Sequence, residues 1–390
     1  MLDKAIKGSG RYYGWLALVL AATAAGFLCY LYQYLTGTES SGLSRSVPWG
    51  FFIANYTFMV GVAASAVMVV LPYYLHNVKQ FGRITVLGEF LAVAAVAVAI
   101  LFIMADLGRP ERAFNLALYP TPRSPFFWNM VVLNGYMLLN LVLGWTALDA
   151  ERNGVLVPRW APIVSVASIP LAVSIHTLTA FVYSGLAARS FWNSAIMGPR
   201  FLASAFAAGP ALLIILCTVM RRISKFDAGR EAIQKLAIIV CYAMIINIFF
   251  ILMEVFTAFY GGMHSHTTSL RFLWVGVEGH NQMVPFMWTS ASAAVAGVLI
   301  LLIPRLRRRE NWLVAACALV FVATWIDKGM ALVTGGLAPT PFETISDYSP
   351  TIQEIIIGIG IYAIGALIVT VLYKIALSIK EEPQALNEAA

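Results

Sequence analysis

The sequence predicts an all-α integral membrane protein with ten transmembrane helices. Three observations predict it: ten apolar stretches of spanning length, a composition of 60% hydrophobic and only 12% charged residues, and an uneven division of Lys and Arg among the connections. An ordinary soluble domain carries about 25% charged residues. A hydrocarbon core about 30 Å thick needs roughly 20 apolar residues per helix. The stretches lie near 12–35, 49–75, 84–107, 125–149, 160–187, 199–222, 235–260, 282–303, 311–334 and 352–378. They leave no room for a soluble domain of ordinary size.

The first stretch follows "MLDKAIKGSGRYYGW", lacks a small-residue cleavage site and is of full span length, so it reads as a retained helix. The second enters at "VPWGFFIANYTFM". The third ends at "FIMADLGRP", where Pro110 bars continuation. Pro125 opens the fourth, because a proline's missing N–H and fixed φ suit a first helical turn. The fifth runs through "SIHTLTAFVYSG", the seventh carries Asn247 and Glu254 one heptad apart, and the ninth contains "TWIDKGM". Spans two to five and six to nine repeat the same order of directions. Each set has an acid in its second member (Asp106; Glu254) and an ionisable residue in its fourth (His176; Asp327). This predicts two four-helix bundles related as a pseudo-repeat, flanked by single N- and C-terminal helices. The corresponding ranges are 1–35, 49–187, 199–334 and 352–390, the last ending in a cytoplasmic tail.

The net charge of +7 follows the membrane and not a nucleic acid. Eighteen Lys and Arg fall on the side of the N-terminus and seven, Arg200 among them, on the other; Lys328 lies within a span. The positive-inside rule therefore places both termini in the cytoplasm of a multi-pass protein of the cytoplasmic (inner) membrane. The basic loop "RRISKFDAGREAIQK" suits an anionic lipid surface. The outer connections at 36–48, 108–124, 188–198, 261–281 and 335–351 are longer and richer in Pro, Gly and aromatics. That fits a docking surface as well as plain loop variation. Cys29, Cys217, Cys241 and Cys317 stand singly in apolar spans without a C-x-x-C, which argues against an iron–sulfur cluster or c-type haem of the chain's own.

An ionisable side chain at mid-span costs about 2.5–3.5 kcal/mol to insert, so those present mark candidate sites. Asn55 lies about two turns into span two, and Asp106 at the outer end of span three. Trp128 and Asn129 fall in the first turn of span four, Asn134 and Tyr136 deeper; His176 and Tyr183 lie in the outer part of span five. All belong to the outer half of one bundle. A partly apolar pocket of this kind can hydrogen-bond both carbonyl oxygens of a quinone and move its protons. Arg109 beside Asp106 favours the carboxylate, and a neutral His176 can donate one hydrogen bond. Taken singly, each residue has a plainer reading. Asp106 with Arg109 can end a helix, His176 can bond a core carbonyl, Asn55 and Asn129 can join helices, and Trp49 and Trp128 can anchor at the interface. Only the set argues for a site.

In the second bundle Asp327 and Lys328 are adjacent, so they point about 100° apart and each is expected to meet another helix. Glu89, near the inner end of span three, with Glu254, Asp327 and Lys328 reads as a candidate proton path toward Asp106; the stronger reading of the second-bundle charges is a buried ion pair holding that bundle together. A b-haem needs two histidines at matching depth; His76 and His176 lie at opposite ends of their spans, and His264, His266 and His280 belong to the outer loop or its edge. A b-haem cytochrome and a secondary transporter remain the competing classes. The transporter reading is weakened because the helix-breakers fall in loops.

The residues "DLGRP" (106–110), "SPFFWN" (124–129) and "PWGFFIANYTFMVGVAAS" (48–65) resemble the NrfD/polysulfide reductase membrane-subunit family. The ten-span form, residues 172–213 and "ATWIDKGM" (323–330) are closest to the DsrP subgroup of DsrMKJOP complexes. The resemblance implies a subunit without haem or iron–sulfur cluster that binds menaquinone near the outer face. It implies electron exchange with an extracytoplasmic ferredoxin-like [4Fe–4S] subunit (DsrO-like), in a sulfur-metabolism complex with further DsrMKJ-like subunits. Those include a multihaem cytochrome c and a second membrane subunit. It also implies pocket roles for Asp106, Trp49, Asn55 and His176; with the residues placed by depth, the expected site has Asp106 and His176 as catalytic groups and Trp49, Asn55, Trp128, Asn129, Asn134, Tyr183 and Arg109 around the quinone.

Overall fold

The computed structural model describes residues 7–74, 76, 78–224 and 226–388. Lys4 and Lys225 of the charge count, and the last two residues of the expected tail, lie outside the described residues. Ten helices are long and apolar enough to cross a membrane: α1 (Gly10–Thr36), α2 (Phe51–Tyr74), α3 (Lys79–Asp106), α4 (Pro125–Arg152), α5 (Trp160–Ser184), α6 (Met197–Ile223), α7 (Arg230–Tyr260), α8 (Val284–Leu302), α9 (Glu310–Leu337) and α10 (Ile352–Glu388, spanning to Lys380). Among the described residues there are no strands, only one isolated bridge between Val277 and His280.

Helices α2 to α5 pack as one ring and α6 to α9 as another; the rings meet where α2 and α5 lie against α6. Helix α2 is the centre of the molecule, with 94% of its most apolar window buried, against 11% for α1. Helices α1 and α10 do not flank the bundles one on each side. They pair with each other at Gly26 and Gly360, where a Cβ on Gly26 would lie 2.5 Å from the Gly360 Cα, and the pair leans on α3. Two glycines let the backbones touch, and Tyr373 of α10 donates to the Leu87 carbonyl of α3 at 2.7 Å.

Two helices are irregular inside the membrane, which corrects the expectation that breaks fall only in loops. Helix α2 passes through a 3₁₀ turn at Ala63–Ser65. Its small side chains admit Gly209 of α6 so closely that a Cβ there would meet the Ser65 nitrogen at 2.8 Å. Helix α9 opens into a π-helical turn at Trp325–Ala331 around Asp327 and Lys328, a form often found at functional positions.

Connections at one face are long and carry the short helix His264–Trp274; the other face holds most of the Lys and Arg. They are termed the loop-rich and basic faces. Pro110 starts a 3₁₀ turn (Pro110–Phe114) and Pro125 starts α4. The Trp128 indole N–H donates to the Pro122 carbonyl at 2.8 Å, tying the proline loop to its helix.

Candidate functional site

Toward the loop-rich face, the first bundle holds a polar layer built from three helices. The Asn129 amide of α4 donates to the Tyr56 hydroxyl of α2 at 2.5 Å, and the Thr179 hydroxyl of α5 donates to the Asn129 carbonyl oxygen at 3.2 Å. Beside this ladder, Thr57 and Tyr183 share a hydrogen bond of 2.5 Å. All five residues are buried. One turn deeper on α5 lies His176, 1% exposed, with no hydrogen-bond partner at either ring nitrogen. A buried imidazole without a partner is costly and calls for an explanation.

An aromatic roof separates this layer from the loop-rich face. Trp49 stacks on Trp192 at 5.4 Å and meets Tyr183 edge-on at 5.5 Å, while Trp192 donates to the Leu332 carbonyl at 2.8 Å. Gly336 packs against the Trp192 ring, so no side chain fits there. Asp106, at the end of α3, turns inward with Oδ1 buried and unpartnered. Glu354 is satisfied by Gly42 N–H at 3.0 Å, Thr351 N–H at 2.8 Å and the Tyr348 hydroxyl at 2.9 Å. Burial, then the Glu354 carboxylate, hold the Tyr348 hydroxyl protonated, well above the usual phenol range. Tyr348 in turn accepts the Phe51 N–H at 2.8 Å, so this knot ties the 338–351 loop to the start of α2.

Several expected members stand elsewhere. Arg109 is exposed and forms no ion pair with Asp106 among the described residues: α3 stops at Asp106 and Leu107 is extended, so the two residues no longer share a helical turn. Trp128 is 45% exposed and faces outward. Asn134 is exposed, its amide donating to the Met130 carbonyl of its own helix at 2.9 Å. Asn55 is buried but faces the other way. It accepts from Trp325 of α9 at 2.9 Å and Tyr362 of α10 at 2.6 Å, and donates to Phe51 O at 2.7 Å. Its carbonyl oxygen is fully used by those two donors, and one amide N–H is tied to its own helix. Glu89 lies toward the basic face beside Gly144, its Oε2 unpartnered. About 25 Å of α3 separates it from Asp106, and among the described residues no hydrogen-bonded chain joins them.

The second bundle holds a charge cluster that the sequence reading took only in part. Arg200, counted there as an outer-loop residue, is buried three residues into α6. It pairs with Glu254 of α7 and, at 2.6 Å, with Asp327 of α9. His266, from the short helix on the loop-rich face, is buried with Nε2 3.6 Å from the second Glu254 oxygen. It lies in the second bundle, while His176 lies in the first. Lys328 points back to α6, donating to Phe201 O at 3.0 Å and sitting 4.6 Å over the Phe201 ring. Gly61 of α2 leaves it room, a Cβ there falling 3.0 Å from Nζ. The missed signal was charge balance: two acids within spans call for an arginine at matching depth.

The family model described as "Polysulphide reductase, NrfD" matches residues 39–338. The chain is 25% identical to a putative dimethyl sulfoxide reductase membrane subunit of Halobacterium salinarum, over 91% of this chain and 89% of that one. It is 24% identical to a selenate reductase subunit of Mesobacillus selenatarsenatis over 66% and 70%. The Hdr-like menaquinol oxidoreductase integral membrane subunit of Archaeoglobus fulgidus is 26% identical over 64% of this chain and 62% of its own.

Proposed function

The chain belongs to the NrfD polysulphide reductase family, and from that premise we propose that it is the quinone-reactive membrane subunit of a multi-subunit oxidoreductase, working with menaquinol or menaquinone near the loop-rich face. The observation that carries this is His176: buried, bonded at neither nitrogen, and set one turn below a ladder that joins three helices. The relatives named as subunits of reductases, and as part of a menaquinol oxidoreductase, support the same reading.

The unpartnered atoms fit a quinone. The His176 N–H can donate to one carbonyl oxygen, and the free Asp106 oxygen can take or return a proton nearer the loop-rich face. A bound quinone supplies two-electron, two-proton redox chemistry. The chain's own work is positional. The Tyr56–Asn129–Thr179 ladder holds the wall, the Trp49–Trp192–Tyr183 roof excludes water, and Asp106 holds or moves the proton at the mouth. In this reading Arg109, exposed on the 107–124 loop, meets the partner subunit. That partner is a ferredoxin-like protein with [4Fe–4S] clusters docked on the loop-rich face, which lies outside the cytoplasm, with both termini inside. The segments 172–213 and 323–330 favour the DsrP subgroup, hence sulfur metabolism and DsrMKJ-like companions with a multihaem cytochrome c.

Asp106→Asn and His176→Leu in the assembled complex test this. Each should lower quinol-linked electron transfer at least about a hundredfold, the scale of a lost acid–base group, while the complex still assembles. Wild-type turnover in both variants would refute the site. A transporter reading draws on the π turn of α9; solute counterflow in liposomes without a redox partner is its test.

A further inference from the structure

At the basic face, the ends of α6, α7 and α9 enclose a cleft of about 300 Å³ that the quinone reading does not use. Its apolar lining is the buried Cys217, Ala228 and Leu313 with Ile233; Arg221, Arg230 and Arg308 line it too, together with the carboxylates of Asp227 and Glu310. The cleft lies where three apolar spans end, which is headgroup depth.

The charge around it is strongly one-sided. Among the described residues, segments 221–235 and 305–310 hold eight Lys and Arg against Asp227, Glu231 and Glu310, and two of those acids are in ion pairs. Glu310 pairs with Arg221 and, at 3.2 Å, with Arg222. Glu231 pairs with Lys235 at 3.1 Å, and Asp227 accepts the Gly229 N–H at 3.1 Å. Arg230 and Arg308 have no ion-pair partner among the described residues; Arg230 donates only to the Arg308 carbonyl, at 3.3 Å. Their guanidinium forks suit phosphate oxygens. The first turn of α7 adds N–H groups that no side chain caps, because Gly229 precedes it.

We propose that this cleft binds the phosphate of one acidic phospholipid, with Arg230 and Arg308 as its ligands and the start of the acyl chains on the apolar floor. The two exposed guanidiniums without an ion-pair partner favour an anionic group. A lipid is favoured over free phosphate by the greasy floor at the membrane boundary, where Cys217, Ala228 and Leu313 have no use for a small hydrated ion.

The test uses the purified full chain in mixed micelles with phosphatidylglycerol, phosphatidylcholine or inorganic phosphate, with retained lipid read by native mass spectrometry. Phosphatidylglycerol should be retained selectively, and Arg230→Gln with Arg308→Gln should weaken retention about thirtyfold. Arg305→Gln with Arg309→Gln, equal in charge change but outside the cleft, should weaken it no more than about threefold. The pair Arg230→Lys and Arg308→Lys keeps the charge, guards against a folding defect, and should show an intermediate loss. Equal retention of both lipids, or an equal loss in the control pair, overturns the site. Saturable binding of inorganic phosphate that displaces the lipid and depends on the same two arginines overturns the lipid as its source.

Discussion

The two bundles share one plan and fill it with opposite polar chemistry. In α2–α5 the buried polar layer is neutral apart from Asp106, joined by hydrogen bonds among Tyr56, Asn129 and Thr179, and it leaves His176 and one Asp106 oxygen unmet. In α6–α9 the corresponding layer is ionic, with Arg200 closing on two acids from two other helices. The second bundle also leaves buried polar atoms unmet, at the Asn247 amide and at one oxygen each of Glu254 and Asp327, so the two differ in charge and not in completeness. Matched charges hold a bundle in register, because each ion in a low-dielectric interior is tolerable only beside its partner. The irregular turns follow the same division: small residues bend α2 to admit α6, while the π turn of α9 sends Asp327 and Lys328 to separate contacts on α6.

The comparison breaks first at Arg200. Arg200→Met leaves Glu254 and Asp327 buried without a cation and should cost about 3–5 kcal/mol, seen as loss of folded protein and a collapsed thermal transition in detergent. A variant of near wild-type stability would mean that the acids are protonated or hydrated in the membrane. Asn129→Ala removes two bonds from the neutral layer and should cost less, about 1–3 kcal/mol, read by the same thermal transition. His176→Leu sharpens the contrast further. No hydrogen bond is lost, so stability should hold or rise while quinol-linked turnover falls; a large destabilisation would make His176 a structural residue. Smallest of all, Asn134→Leu should leave both turnover and melting unchanged within about 0.5 kcal/mol, since its amide is exposed and bonds only its own helix.

Sequence reasoning found the span count and the depth of the polar residues, but not their bearing. Asn129 bonds Tyr56 and Thr179, and Tyr183 bonds Thr57, three partners the sequence left unmarked, while His176 lies one turn deeper without a partner. Asn55, at similar depth, turns toward Trp325 and Tyr362, partners 270 and 307 residues away. Asn134 and Trp128 face outward. Arg200 was misplaced because a base three residues into a helix looks like a loop residue until Glu254 and Asp327, 54 and 127 residues on, are seen beside it.

The amino-acid sequence by itself determined ten apolar helices, their ends, and the level at which polar groups enter the membrane, because length and hydropathy accumulate residue by residue along the chain. Only the tertiary structure decided which polar groups face one another. In a bilayer, helix surfaces turned to lipid and to neighbouring helices are both apolar, so no hydrophobic stripe marks the inward face. The rotation of each helix is settled by close backbone approaches, such as Gly209 on Ser65 and Gly26 on Gly360, and by pairs that form only once distant spans have packed.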